Sequence, residues 1–177
     1  MKRDITVIGA AIIDVLAGPV DESIFEKGSQ PVNSTRLAFG GDALNEAVVL
    51  SQLGAKVELI SKVGDDEAGK RVLDFLQEKQ VDVTKVKIEE GLETGINIVL
   101  VTPDGERMFL TNPNGSLRKL SEADVIEQLD SAADIVCMAS MFVSPLLDIP
   151  AMERIFQQIK SKPGRILVVD MTTAKNG

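Results

Sequence analysis

Four short runs rich in β-branched residues punctuate this chain, and they limit its fold more than any other feature. Ile5-Thr6-Val7-Ile8, Val57-Glu58-Leu59-Ile60, Ile135-Val136-Cys137-Met138 and Ile166-Leu167-Val168-Val169-Asp170 all read as buried strands. Helical patterns lie between them. Ala43, Leu44, Ala47, Val48 and Leu50 form one apolar stripe. Ala68, Val72, Leu73, Phe75 and Leu76, within Glu67 to Lys79, form a second. Ser121-Glu122-Ala123-Asp124 opens another helix in the manner of a capping box, and Pro150 to Ile159 reads as a further one. Parallel strands need a long crossover, so strand, helix, strand at this spacing is a βαβ unit. The pattern predicts an α/β domain on a parallel sheet, and 177 residues suffice for one domain with a real core.

Two stretches break this rhythm. Gly95 to Val101 alternates, turns at Pro103-Asp104-Gly105 and returns through Arg107-Met108-Phe109-Leu110, which predicts a hairpin. Thr35 to Phe39 predicts another strand, after an extended excursion over Gly18 to Ser34 broken by Pro19, Gly28 and Pro31. Together these segments fit a separate small sheet, and an edge hairpin fits them as well.

The chemistry-bearing stretch is Gly40-Gly41-Asp42-Ala43-Leu44-Asn45. Paired glycines before a helix let the backbone bend sharply and let a ligand come close. Asp42 is placed to accept from free N–H groups of the first turn as an N-cap. Gly54 supplies a C-terminal stop. Asn45 puts an amide in the first turn, where it can face a cleft. The same pattern also fits a plain glycine turn before a core helix. Asp14, set among Ile12, Ile13 and Val15, is a carboxylate at a strand end.

Gly40, Gly41, Ala43, Asn45 and Ala47, followed at fixed distances by Gly54 and Gly64, resemble the N-terminal signature of the ribokinase-like (phosphofructokinase-B type) sugar kinases. Gly9 to Asp14, Lys62-Val63-Gly64-Asp65-Asp66, and Thr94-Gly95 with the Pro103-Asp104-Gly105-Glu106 turn have counterparts in that family. The resemblance implies a ribokinase-like three-layer α/β/α sandwich, present in part, with a small β-sheet lid drawn from residues 15–39 and 94–111. It implies that Asp14, Asp42 and Asn45, with backbone groups of Gly40 and Gly41, hold a sugar. Asn112, Asn114 and Asp170 are weaker candidates, from a polar loop and a strand end beside the presumed cleft. Two departures bear on the substrate: Ile12 stands where ribose-using members have an asparagine, and Asp42 where they have a lysine.

The resemblance further implies ATP as phosphoryl donor with Mg²⁺, and a homodimer through the lid. Family chains are longer and carry a Gly-Ala-Gly-Asp-type segment with the catalytic base, which this sequence lacks. The chain is therefore expected to be an N-terminal portion, inactive alone, with no catalytic residue before Gly177. The expected function is an ATP-dependent sugar kinase. The alternatives are a nucleoside kinase, for which six Phe with no Trp or Tyr offer few stacking platforms, and a non-catalytic sugar-binding or dimerising module.

Composition removes other classes. A net charge of -8 disfavours nucleic acid and anionic membranes, both of which need a basic footprint. The absence of histidine removes His-based triads, bases and metal sites, and no metal-binding set is assigned. The one cysteine, Cys137, allows no internal disulfide and fits a reducing cytoplasm. Asp4 and Asp14 interrupt any signal-peptide pattern, and no stretch reaches the ~20 apolar residues of a membrane span. Gly64 to Gly69-Lys70 nearly spells a phosphate loop, but Arg71 replaces the required hydroxyl and three acids would repel phosphate. Those acids are expected to complement a helix N-terminus.

Overall fold

A computed structural model describes residues 3–171. Five strands, β1 (Ile5–Ile8), β4 (Val57–Gly64), β5 (Val86–Glu89), β8 (Ile135–Met141) and β9 (Ile166–Met171), form one sheet in the order β5-β4-β1-β8-β9. Every pairing in it is parallel. Because side chains alternate along a strand, Val7 and Ile8 of β1 enter different cores. Val7, Leu59 and Ala139 pack with Ala43, Leu44 and Ala47 of α2 (Asp42–Gln52) and Val72 and Leu76 of α3 (Glu67–Glu78). Ile8, Ile60 and Met138 pack with Val125 and Leu129 of α4 (Glu122–Leu129) and Met152, Ile155 and Ile159 of α5 (Ile149–Ser161). This is the expected α/β/α layering.

The predicted second sheet is also present. Its order is β3-β2-β6-β7, from β2 (Ile12–Gly18), β3 (Ser34–Gly40), β6 (Ile96–Val101) and β7 (Arg107–Thr111). The chain leaves the first sheet after β1 through Gly9-Ala10-Ala11 and returns from β3 through Gly40-Gly41 into α2. The glycine pair is thus the point where the small sheet rejoins the domain.

Several expectations are corrected in detail. The Gly18–Ser34 stretch is not wholly extended: it carries α1 (Ser23–Lys27), which ends where Gly28 turns left-handed at φ 70° and donates to the Ile24 carbonyl. β5 had no clear sequence signal. The last strand, β9, is not buried. Among the described residues only β8 pairs with it, and Ile166, Val168 and Met171 lie exposed. Asp42 is not the N-cap of α2. Gly41 takes that position at φ 90°, with no side-chain cap, and Asp42 is the first helical residue. Released from capping, its carboxylate accepts from the Ser140 hydroxyl instead.

The acids after Gly64 do cap a helix. Asp66 accepts from the Gly69 N–H (2.7 Å), as an N-cap of α3 does. It also accepts from the Thr94 backbone N–H (2.8 Å) and hydroxyl (2.6 Å), and Gly64 donates to that hydroxyl (2.9 Å). Burial opposes its charge, but these bonds hold the carboxyl below its ordinary range. The near phosphate loop is therefore a clamp on the segment that leads into β6.

Candidate active site

A cleft of about 340 Å³ opens where the two sheets meet, within the size range of small-molecule sites. Asp14, Gly41, Asp42 and Asn45 all line it. They come from β2, the glycine turn and the first turn of α2. Ala10, after β1, and Ser140 and Val143, at the end of β8, complete the floor. That floor is the C-terminal edge of the parallel strands, where α/β sheets bind ligands. Asn97, Arg107, Phe109 and Thr111 of the small sheet form the roof.

The roof carries a polar row set by strand register. Asp14 lies opposite Asn97 in the parallel β2–β6 pair, and Asn97 lies opposite Thr111 in the antiparallel β6–β7 pair. The Asn97 amide donates to Asp14 Oδ1 (3.0 Å), and the Thr111 hydroxyl donates to Asn97 Oδ1 (2.9 Å). Asn97 is 8% exposed, so these bonds satisfy an otherwise costly buried amide. They also fix the direction of the Asp14 carboxylate.

Gly40 does not line the cleft. A Cβ there would lie 2.2 Å from Asp14 Oδ2, so this glycine makes room for the carboxylate rather than touching a ligand. Gly41 has a separate reason to be glycine. Its φ is left-handed, and a Cβ would lie 2.4 Å from the Ala10 carbonyl oxygen.

On the floor, burial first, and then the charges of Asp170 and Asp14, push the Asp42 carboxyl above its ordinary range. Hydroxyl donors from a ligand would relieve that cost. The Ser140 hydroxyl already supplies one donor, from a residue held at φ 50°; Phe142, at φ 74°, is also left-handed. Non-glycine residues in this region store strain, and here they sit beside the cleft. Asn45 is exposed, and no described residue hydrogen-bonds to its side chain. Its amide faces the cleft uncommitted, which a helix brace would not be.

The weaker candidates fall outside this cavity. Asn112 accepts from the Asn114 N–H (2.9 Å) and donates to Glu93, which makes it a turn residue. Asp170 is exposed near the end of β9 and reaches the site only through its charge on Asp42. Cys137 is a buried thiol, pushed up to about 12 by burial and by Glu46 beside it, and is not a nucleophile. Sequence reasoning missed Asn97, Thr111, Ser140, Arg107 and Arg118. The signal for Asn97 was available as a lone amide at an inward position of an alternating strand. Nothing local marks Ser140.

Residues 2–173 match the family described as pfkB family carbohydrate kinase. This chain belongs to that family. Among curated relatives, the pfkB chain is 26% identical to a ribokinase of Haemophilus influenzae, over 99% of its own length and 55% of the relative's. It is 32% identical to a 2-dehydro-3-deoxygluconokinase of Thermoproteus tenax, over 54% of its length and 30% of the relative's. The chain thus spans about half, or less, of the length of these relatives. A crystal structure of a PfkB protein from Polaromonas shares the fold at TM-score 0.78 and 21% identity, over 97% of this chain and 56% of that one. An uncharacterized sugar kinase from Pyrococcus horikoshii, solved in complex with ATP, matches at TM-score 0.73 and 27% identity, over 94% of this chain and 52% of that one.

Proposed function

We propose that this pfkB chain supplies the sugar-holding part of an ATP-dependent kinase that phosphorylates a hydroxyl of a sugar or sugar derivative. One observation carries the reading: Asp14 of β2 and Asp42 and Asn45 of the first turn of α2 converge on a single cleft at the C-terminal sheet edge. A carboxylate offers about four lone-pair sites, so Asp14 and Asp42 each retain acceptors for sugar hydroxyls after serving Asn97 and Ser140. Catalysis in such a kinase is mostly positioning, and a pre-oriented carboxylate lowers the cost of fixing the acceptor hydroxyl.

ATP and Mg²⁺ belong to the proposed reaction, but the described residues do not fit sites for them. None of these residues forms a group of three or more His, Cys, Asp or Glu able to hold a metal. The Gly64–Gly69 segment is committed to capping and clamping. No step through ATP or Mg²⁺ is assigned to this chain. ATP-dependent ADP release by the full-length protein, of which this chain is expected to be the N-terminal portion, tested over a panel of pentoses, hexoses, sugar acids, sugar phosphates and nucleosides, checks the reading. Turnover of a sugar or sugar derivative is expected. Turnover of nucleosides alone, or of no panel member, overturns it.

The small sheet is proposed as a lid over the sugar. Its outer face leaves Leu37, Ile98, Met108 and Leu110 exposed, which supports a homodimer formed through this sheet. A cytoplasmic location is proposed on the single, neutral cysteine. If the lid closes on substrate, amides of residues 96–111 exchange faster than those of β4, all of whose residues are buried, and gain protection when a bound sugar is added. Unchanged protection with a sugar that demonstrably binds would make the small sheet a static wall.

A further inference from the structure

The cleft contains two guanidinium groups that the sugar-hydroxyl reading does not use. Arg107 opens β7 on the same strand face as Phe109 and Thr111, and its Cζ lies 5.7 Å from the Phe109 ring centroid. Arg118 ends a short 3-10 turn, Ser116–Arg118, and gives one N–H to the Val143 carbonyl (2.6 Å). Both line the cleft. Neither is ion-paired with a carboxylate among the described residues; Arg36 and Arg165 are not either, but they do not line the cleft, while Arg3, Arg71 and Arg154 are each paired. Both guanidinium groups are therefore available to a ligand in the cleft.

The acids of the cleft are also not their partners. Asp14 is served by an amide and Asp42 by a hydroxyl, both neutral donors. The site therefore keeps its charges apart: carboxylates at β2 and α2, guanidinium groups at β7 and the 3-10 turn. A guanidinium carries five donors in a fixed fork that matches a carboxylate or phosphate group. A neutral sugar has no group that uses such forks fully. Aromatic support under Arg107 also restricts its side chain, so less freedom is lost on binding.

Resting on the kinase reading above, we infer that the substrate is an anionic sugar, carrying a carboxylate or a phosphate, whose charged group is held by Arg107 and Arg118. Its hydroxyls then fall to Asp14, Asp42 and Asn45. The remainder of the protein is acidic, so the two arginines also act as a local focus that draws an anion into the cleft.

The test uses the full-length protein with ATP and three arms: fructose and ribose, then gluconate and 2-keto-3-deoxygluconate, then fructose 6-phosphate. An anionic arm is expected to exceed the neutral arm in kcat/KM, and the better of the two anionic arms names the charged group. Its KM rises with ionic strength. Arg107→Gln, on an exposed strand position, is expected to lower the anionic-to-neutral ratio of kcat/KM by about ten- to a hundredfold with an unchanged melting temperature. Arg118→Lys, which keeps one donor for the Val143 carbonyl, tests the second fork without emptying that contact. A neutral sugar as best substrate, with kcat/KM unmoved by either variant, overturns the inference and leaves the kinase reading intact. Where no sugar is phosphorylated, the kinase reading falls. Calorimetric titration with gluconate and fructose 6-phosphate then decides the anion site alone: Arg107-dependent binding supports it, and no binding overturns it.

Discussion

Replacing Asp124 by asparagine is expected to destabilise the protein by about 3–5 kcal/mol, the cost of breaking a buried ion pair from one side. Asp124 is 3% exposed at its side chain and bridges Lys62 of β4 (2.6 Å) and Lys87 of β5 (2.5 Å). It also completes the capping box of α4 with Ser121. One carboxylate therefore joins two strands and a helix start. Lys62, at 6% exposure, keeps only Glu89 when Asp124 is neutralised, and that partner is 42% exposed. Burial acts to raise the Asp124 carboxyl, but the bonds from Lys62, Lys87 and Ser121 outweigh it and hold it well below 3.8. A depressed folded-state value means that the stabilisation is present above the unfolded value and is lost as pH falls through the folded one. Chemical denaturation should thus show a wild-type advantage over Asp124→Asn that is constant from pH 7 to about pH 4 and shrinks only in stronger acid. An advantage below about 1 kcal/mol at pH 7 would mean that water replaces the carboxylate at little cost.

The layered fold was legible because its signal is local. All the parallel strands but β5 are short, mainly apolar runs, and the helices that cover the sheet each show one stripe, so Ile5–Ile8 and Glu67–Glu78 declare themselves without knowledge of their neighbours. The glycine pair was legible for a related reason, since only a sharp turn needs Gly41. Pairing across distance was not legible. Asn97 meets Asp14 over 83 positions and Ser140 meets Asp42 over 98, and neither separation leaves a periodic trace. The misplaced cap has the same origin. Asp42 satisfies every local rule for an N-cap, but Gly41 already turns the chain, and a hydroxyl from the end of β8 claims the carboxylate. The exposed β9 shows the limit of composition: Ile166 to Val169 reads as buried, while burial depends on which neighbours a strand has.

Asp14→Asn is expected to lower kcat/KM for the sugar by about tenfold to over a hundredfold, because a hydrogen bond to a charged group is worth about 1.5–3 kcal/mol. The change keeps size and the Asn97 neighbour, so the melting temperature should hold while sugar use falls. Gly40→Ala provides the sharper test. Gly40 ends β3, opposite Ile12, without a left-handed φ, so its backbone accepts alanine. The added methyl would meet Asp14 Oδ2 at 2.2 Å and Cγ at 2.9 Å, forcing the carboxylate to turn away from its bond with Asn97. Gly40→Ala therefore retains the charge and removes its placement. If Gly40 acts only through Asp14, the double variant should be no worse than Asp14→Asn alone, a non-additivity that a thermodynamic cycle measures directly. Additive losses would show that Gly40 has a role of its own, such as backbone contact with substrate. Wild-type kinetics for Gly40→Ala would show that the carboxylate needs no fixed direction. Asn45→Ala serves as the companion measurement, since its exposed side chain has no hydrogen-bond partner among the described residues. It should lose sugar affinity with no change in melting temperature, and a fall in melting temperature with intact sugar kinetics would assign Asn45 to the helix rather than to the ligand.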